Sequence, residues 1–358
     1  GIYATDASIH QIMPIAVVWP RDDADVRAAV ETAARFEVSI LPRGAGTSLG
    51  GQAVGASMVL DFSKYMNRIL ELNVQERWVR VQPGVVLDEL NAQLAPHGVF
   101  FAPGPATGNR ATIGGMVGNN ASGSKSILYG KTSDHVLTAR VLLADGTVLD
   151  LGECSREQFG MPAGEQSREA EIRKRFKQII ETNAEAIEAR FPKVMRRVSG
   201  YALDAFVGTD RWNLLKLLIG SEGTLGLFLE AKLKLEPLPR HRSLCVVHFA
   251  QLLEAIRTVE PILGHRPSAV ELVDADVLTR ARRNLSLAPL CSFIEGQPEA
   301  ILVVEFFGQT PGEAEQKCQR LAKDLKDRNI GYAWPVIADA SEQAKVWAVR
   351  KNGLGLVL

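Results

Sequence analysis

Apolar residues recur along this chain at two spacings, and each change of spacing marks a predicted element. Ile15 to Trp19 is a short apolar run that reads as a buried strand. Asp22 then stands as an N-cap before Val26, Ala29, Val30, Ala33 and Phe36, which share one helix face. Val38 to Leu41, Met58 to Phe62 and Trp78 to Gln82 read as strands, and Leu87 to Leu94 as a helix. Thr138 to Leu143 and Thr147 to Leu151 flank Asp145-Gly146, whose two residues both tolerate positive φ, so a hairpin is predicted with them at its centre. Ser167 to Arg190 carries apolar residues at helical spacing among charges. Leu214 to Ile219 leads through Gly220 to Gly226 into a strand, Leu227 to Leu235.

Pro237 and Pro239 interrupt this pattern, and a different one follows. It runs strand Leu244 to Phe249, helix Leu252 to Leu263, strands Val270 to Val273 and Ile301 to Phe307, helix Pro311 to Arg328 and a last helix Glu342 to Lys351. The expectation is an α+β chain of two domains, 1–240 and 241–358, since 358 residues exceed what one core serves well.

Two stretches escape both spacings because glycine dominates them. They are LPRGAGTSLGGQAVG, Leu41 to Gly55, and PGPATGNRATIGGMVGNNASGSKSILYG, Pro103 to Gly130, about 60 residues further on. Dense glycine lets successive backbone N–H groups turn inward and form concave nests for phosphate oxygens, where a Cβ would block approach. Tight turns account for isolated glycines such as Gly84 and Gly146. They account less well for glycines interleaved with Thr47, Ser48, Thr112, Asn119, Asn120 and Ser122, all small hydrogen-bonding residues. Two such loops point to a long, doubly phosphorylated ligand.

Standard nucleotide motifs fail on inspection. A G-x-G-x-x-G beginning at Gly44 and Gly46 meets Leu49 where the third glycine belongs. Gly118 and Gly123 have P-loop separation, but Ser124 intrudes before Lys125. Gly46, Ser48 and Gly50 match the G-x-S-x-G of a hydrolase nucleophile elbow, yet the segment after Ser48 is too rich in glycine to start the helix that elbow requires. Ser48 is better placed as a hydroxyl donor to a phosphate.

Charge sharpens the picture by subtraction. The 41 basic and 41 acidic side chains cancel, so nothing in the net charge draws nucleic acid or anionic membrane. Cys154, Cys245, Cys291 and Cys318 are scattered without a metal or disulfide spacing, and are expected to be reduced and mostly buried. No apolar run approaches the roughly 20 residues of a membrane span, and the first residues carry no signal-peptide pattern, so a cytoplasmic protein is expected, at most peripheral at the inner membrane face. The chain opens on Gly1 and closes on the apolar GLGLVL, from which we expect a piece of a longer protein.

Taken in order, the motifs resemble those of flavoproteins of the vanillyl-alcohol-oxidase and p-cresol-methylhydroxylase type, in their D-2-hydroxyacid dehydrogenase branch. Arg43, Gly44, Ala45, Gly46, Thr47 and Ser48, with Gly51 and Gln52, resemble the family's first pyrophosphate loop. Gly104 and Thr107, then Thr112, Gly114, Gly115, Asn119, Ser122, Gly123, Tyr129 and Gly130, resemble the second, and Gly220, Glu222, Gly223 and Leu225 a later segment beside the flavin. Tyr3 to Ser8 and Gly130 to His135 fit large bacterial members in which the flavin unit precedes an iron–sulfur domain.

The resemblance implies a two-lobed FAD-binding domain followed by an antiparallel-sheet cap cut short at its C-terminal end. It implies oxidation of a D-2-hydroxy acid such as D-lactate or D-2-hydroxyglutarate, with electrons leaving to an iron–sulfur domain, a quinone or a cytochrome. Other alcohols on the same scaffold, or a flavin subunit without its own turnover, are the alternatives. FAD is expected to be non-covalent, because Thr47 stands where some relatives carry a flavin-linked histidine. Arg350 resembles the family's substrate-carboxylate arginine, as suits a planar guanidinium, although a solvated arginine late in a helix is the plain alternative. No metal ligand or catalytic base is assigned: His10, His97, His135, His241, His248 and His265 show no ligand spacing, and the family's base and metal histidines are expected beyond Leu358.

Overall fold

The computed structural model describes residues 1–160 and 167–357. The chain forms two compact units, one of Gly1–Gly123 with Gly130–Pro237 and one of Ser124–Tyr129 with the chain from Leu238 onward.

The first unit contains two sheets. Ala16–Val18, Met58–Asp61 and Ile40–Arg43 form a three-stranded parallel sheet with Met58–Asp61 in the centre. The helix Asp23–Arg35 returns the chain between its outer strands, and Asp22 caps it by accepting the Asp25 N–H. Val26, Ala29 and Val30 of that helix close a core with Leu60, Phe62 and Met66. Phe36 does not extend the stripe. The helix ends at Arg35, Glu37 turns the chain at φ +55°, and the Phe36 ring is left 65% exposed. The next strand starts two residues later than its apolar run suggests, at Ile40, and so carries Arg43 to its end.

The second sheet has five antiparallel strands in the order Ile69–Asn73, Trp78–Val81, Leu227–Lys234, Val136–Leu142, Val148–Leu151. Its hairpin turn differs from the expected two-residue form. Leu143 N–H donates to Thr147 O and Gly146 N–H to Leu143 O, and of the pair only Gly146 takes positive φ, +82°. Asp145 instead spends its carboxylate on the Thr147 N–H, which suits a three-residue loop. Under this sheet, Leu87–Leu94 and the short helix Ile113–Gly118 bury Leu87, Leu90, Leu94, Ile113 and Met116. The helix Arg168–Arg190 closes the far end, its Phe176 meeting Phe206 edge-on at 4.6 Å beside Trp212 and Phe159.

The second unit is built on one antiparallel sheet in the order Ala269–Asp274, Ala300–Gly308, His241–Phe249, Val336–Ile337. Helices cover both faces, which is why the two central strands are buried along most of their length, including polar Ser243, His248 and Glu305. Cys245, Val247, Leu302 and Val304 meet the helices Leu252–Leu263 and Pro311–Asp327. Leu244, Val246, Ile301 and Val303 meet Ala275–Arg283 and Ala340–Val357. The arginine-rich Ala275–Arg283 helix escaped the apolar pattern, and the last helix is longer than Glu342 to Lys351. Among the described residues no helix is long and apolar enough to cross a membrane.

Candidate functional site

A cleft of about 400 Å³ opens inside the first unit. Three sequence-distant segments line it: Pro42 to Ala53, Pro105 to Ala121 with gaps, and Glu222 to Phe228. The parallel strand Ile40–Arg43 delivers the first, the helix Ile113–Gly118 carries the second, and the strand Leu227–Lys234 begins in the third. Side chains tie the segments together: Asn119 Nδ2 donates to Ser48 Oγ at 3.3 Å, and Gln52 Nε2 to Glu222 Oε1 at 3.3 Å. Backbone bonds from Gly220 N–H to Val117 O and Glu222 N–H to Gly118 O, both 3.0 Å, join the second segment to the third.

Close approach explains why glycines sit here. A Cβ on Gly44 would strike Thr112 Oγ1, the atom that caps the helix at Gly115 N–H. A Cβ on Gly46, at φ +66°, would stand 2.5 Å from Arg43 Nη2, and one on Gly114 would stand 2.7 Å from Pro83 Cβ. Gly223, at φ +81°, receives the Pro42 ring where its Cβ would be. The lining thus combines bare backbone, small hydroxyls and amides with the apolar side chains of Phe62, Met116, Leu227 and Phe228. Among the described residues, Arg43 and Glu222 are its only ionisable members. Such a wall accepts an anion through backbone N–H groups and a flat apolar group against side chains, which fits the two halves of FAD.

Of the residues singled out from sequence, Arg43, Gly44, Ala45, Gly46, Thr47, Ser48, Gln52, Thr107, Thr112, Gly114, Gly115, Asn119, Glu222 and Gly223 line the cleft. Gly51, Gly104, Ser122, Gly123, Gly130, Gly220 and Leu225 do not. Gly123 crosses the Gly104 carbonyl at a distance no side chain permits, Gly51 faces the His10 ring, Gly130 the Asp134 carboxylate, and Gly220 turns at φ +86°. Leu225 borders a separate apolar hollow with Val30 and Leu142. Tyr129 ends the short helix Ser126–Tyr129, which groups with the second unit. Sequence reading missed the apolar wall, since Phe62 and Phe228 lie in ordinary strand-like runs. It also missed Pro42, Pro83 and Pro105, each of which abuts a glycine in space.

In the second unit, Arg350 is engaged already. Its Nε and Nη2 both reach Glu271 Oε2, at 2.7 and 2.5 Å. His248 is fully buried; its Nδ1 faces Val246 O and its Nε2 accepts the Glu295 N–H, so burial holds it neutral and its pKa below the usual histidine range. His265 contacts Asp324 at 3.1 Å. Cys245, Cys291 and Cys318 are buried, and burial pushes the Cys245 thiol up to about 12. Among the described residues no group of three His, Cys, Asp or Glu is arranged to hold a metal.

Residues 14–152 match the FAD binding domain family and residues 238–357 the C-terminal domain family of FAD linked oxidases. D-2-hydroxyglutarate dehydrogenase of Pseudomonas putida is 39% identical over 99% of this chain, and that of Escherichia coli 36% over 99%; the chain covers 36% of each. The chain therefore spans about a third of the length of these curated relatives. A mitochondrial cytochrome-type D-lactate dehydrogenase of Arabidopsis thaliana is 26% identical over 97% of the chain and 50% of that protein. Among solved structures, an alkyldihydroxyacetonephosphate synthase shares the fold, with a TM-score of 0.63 and 19% identity over 95% of this chain and 55% of that one. The two domain matches, which together span most of the chain, make it one of the FAD-linked oxidases, with the FAD binding domain at residues 14–152 of the first unit.

Proposed function

We propose that this chain is the flavin-bearing part of an FAD-dependent dehydrogenase that oxidises a D-2-hydroxy acid, D-2-hydroxyglutarate or D-lactate, to the 2-oxo acid. The observation that carries the reading is the cleft of three converging segments, in a chain 39% identical to a D-2-hydroxyglutarate dehydrogenase over 99% of its length. Residues 1–240 serve as the FAD-binding domain and 241–358 as a substrate cap. Bound FAD supplies the hydride acceptor, held non-covalently.

The chain's own contribution is binding and orientation. Thr47, Ser48, Asn119 and the loop amides hold the pyrophosphate, and Met116, Leu227 and Phe228 give the ring an apolar wall. Arg350 grips the substrate carboxylate through its Nη1–Nη2 edge, the Nε side being taken by Glu271. Electrons pass on to an iron–sulfur domain, a quinone or a cytochrome, in the cytoplasm.

The test is a visible spectrum of the purified chain after FAD reconstitution, followed under anaerobic conditions by addition of D-2-hydroxyglutarate or D-lactate, with a longer version of the chain alongside. A flavin spectrum that bleaches with one of these acids supports the reading. A colourless chain that takes up no FAD sinks it. In the bleaching version, Arg350→Lys is expected to raise KM by about tenfold to a hundredfold, since one bidentate charge-assisted contact is worth about 1.5–3 kcal/mol.

A further inference from the structure

The first twelve residues lie outside the cleft, yet they are bonded to its first glycine loop at several points. Ala7 N–H donates to Gly46 O at 3.0 Å. Asp6 Oδ2 accepts the Ala53 N–H at 3.2 Å, while its Oδ1 accepts the Ser8 N–H at 2.8 Å. Between loop and strap lies the Arg43 guanidinium, buried, giving Nη1 to Ala53 O at 2.7 Å and Nη2 to Thr5 O at 2.8 Å. No carboxylate lies within ion-pair distance of it among the described residues. A buried arginine that spends its donors on one carbonyl of the loop and one of the strap ties the two backbone segments together.

One bond has a directional consequence. In a trans peptide the C=O and the following N–H point to opposite sides. With Gly46 O held by the strap through Ala7, the Thr47 N–H is turned away from the strap, and Gly46 and Thr47 both line the cleft. Gly46 can adopt this orientation because it takes φ +66° directly over the guanidinium, where any Cβ would collide. We propose that residues 5–8 and Arg43 form a positioning strap that aims the loop's amides at the cofactor pyrophosphate, so that phosphate recognition, rather than ring binding, depends on the N-terminal segment. This rests on the FAD reading of the cleft.

The experiment compares affinities for FAD and for riboflavin, which carries the ring without phosphate, by flavin fluorescence. It uses the wild-type chain, Asp6→Ala, Ala7→Pro and Arg43→Lys, each checked for folding by circular dichroism. Ala7→Pro removes the N–H that holds Gly46 O and also fixes φ at that position, whereas Arg43→Lys keeps the charge but replaces the planar fork that reaches Ala53 O and Thr5 O with a single nitrogen. Each variant is expected to bind FAD about tenfold or more weakly, the worth of one well-aimed hydrogen bond to an anion, with riboflavin affinity unchanged. Equal losses for both ligands, or unchanged FAD affinity in the folded variants, would overturn the inference. A wild-type chain that binds neither ligand would sink the flavin reading and the strap with it.

Discussion

A methyl group added at Gly123 would be driven into the Gly104 carbonyl, backbone against backbone, with no rotamer to relieve it. Gly123→Ala is therefore expected to cost about 3 kcal/mol, the upper end of what overpacking costs, read as a lower urea midpoint. Gly312 has nothing within 4 Å of its missing Cβ and lies in a helix, so Gly312→Ala should raise stability by up to about 1 kcal/mol. An unchanged midpoint in both variants would mean that glycine here is incidental. His248 makes a second prediction at this scale. Its folded pKa lies below the unfolded value of about 6.5, so the unfolded chain binds more protons between the two. The stability it contributes is full above pH about 6.5 and is lost progressively as pH falls from there toward the folded pKa. His248→Gln, which can still accept from Glu295 N–H and donate to Val246 O, should flatten the fall in melting temperature between pH 7 and 5.

Elements that bury one clean face were legible in the chain. The Asp22 cap and the Val26, Ala29, Val30 and Ala33 stripe define a helix by local chemistry alone, and the structure forms it. The strand Ile69–Asn73, with an exposed Glu71 and Leu70, lacks both alternation and a full apolar run, so only pairing with Trp78–Val81 makes it a strand. Asp145-Gly146 was read correctly as a turn but not in its register, because the Asp145 bond to Thr147 N–H selects the longer loop. On the Ala300–Gly308 strand, Phe306 is 1% exposed between two layers of helices. Phe306→Ala should cost about 3–5 kcal/mol, so a shift in the melting transition smaller than a few degrees would count against a packed core there.

For the whole molecule, the prediction concerns the flavin linkage. Thr47, in the first glycine loop, offers no ring nitrogen for a covalent bond to flavin. Acid precipitation of the reconstituted protein should leave a white pellet and all the FAD in the supernatant. Yellow retained in the pellet would mean that another residue forms a bond to the ring. Because the chain spans 36% of its dehydrogenase relatives, FAD binding and turnover are separate expectations for it, each with its own measurement.

Most of the order of elements and the two glycine loops were readable without coordinates, because capping, periodicity and glycine density act over a few residues. What only tertiary structure decided is which glycines line the cleft and which serve packing. Gly44 and Gly123 look alike in sequence, yet one borders the cleft while the other lets two loops cross. The Gln52–Glu222 bond joins residues 170 positions apart, the Arg350–Glu271 pair 79 and the Arg43–Thr5 bond 38, while Phe62 and Phe228 lie in unremarkable strand-like runs. No local rule records such contacts, since they exist only once the sheets have brought distant segments within reach.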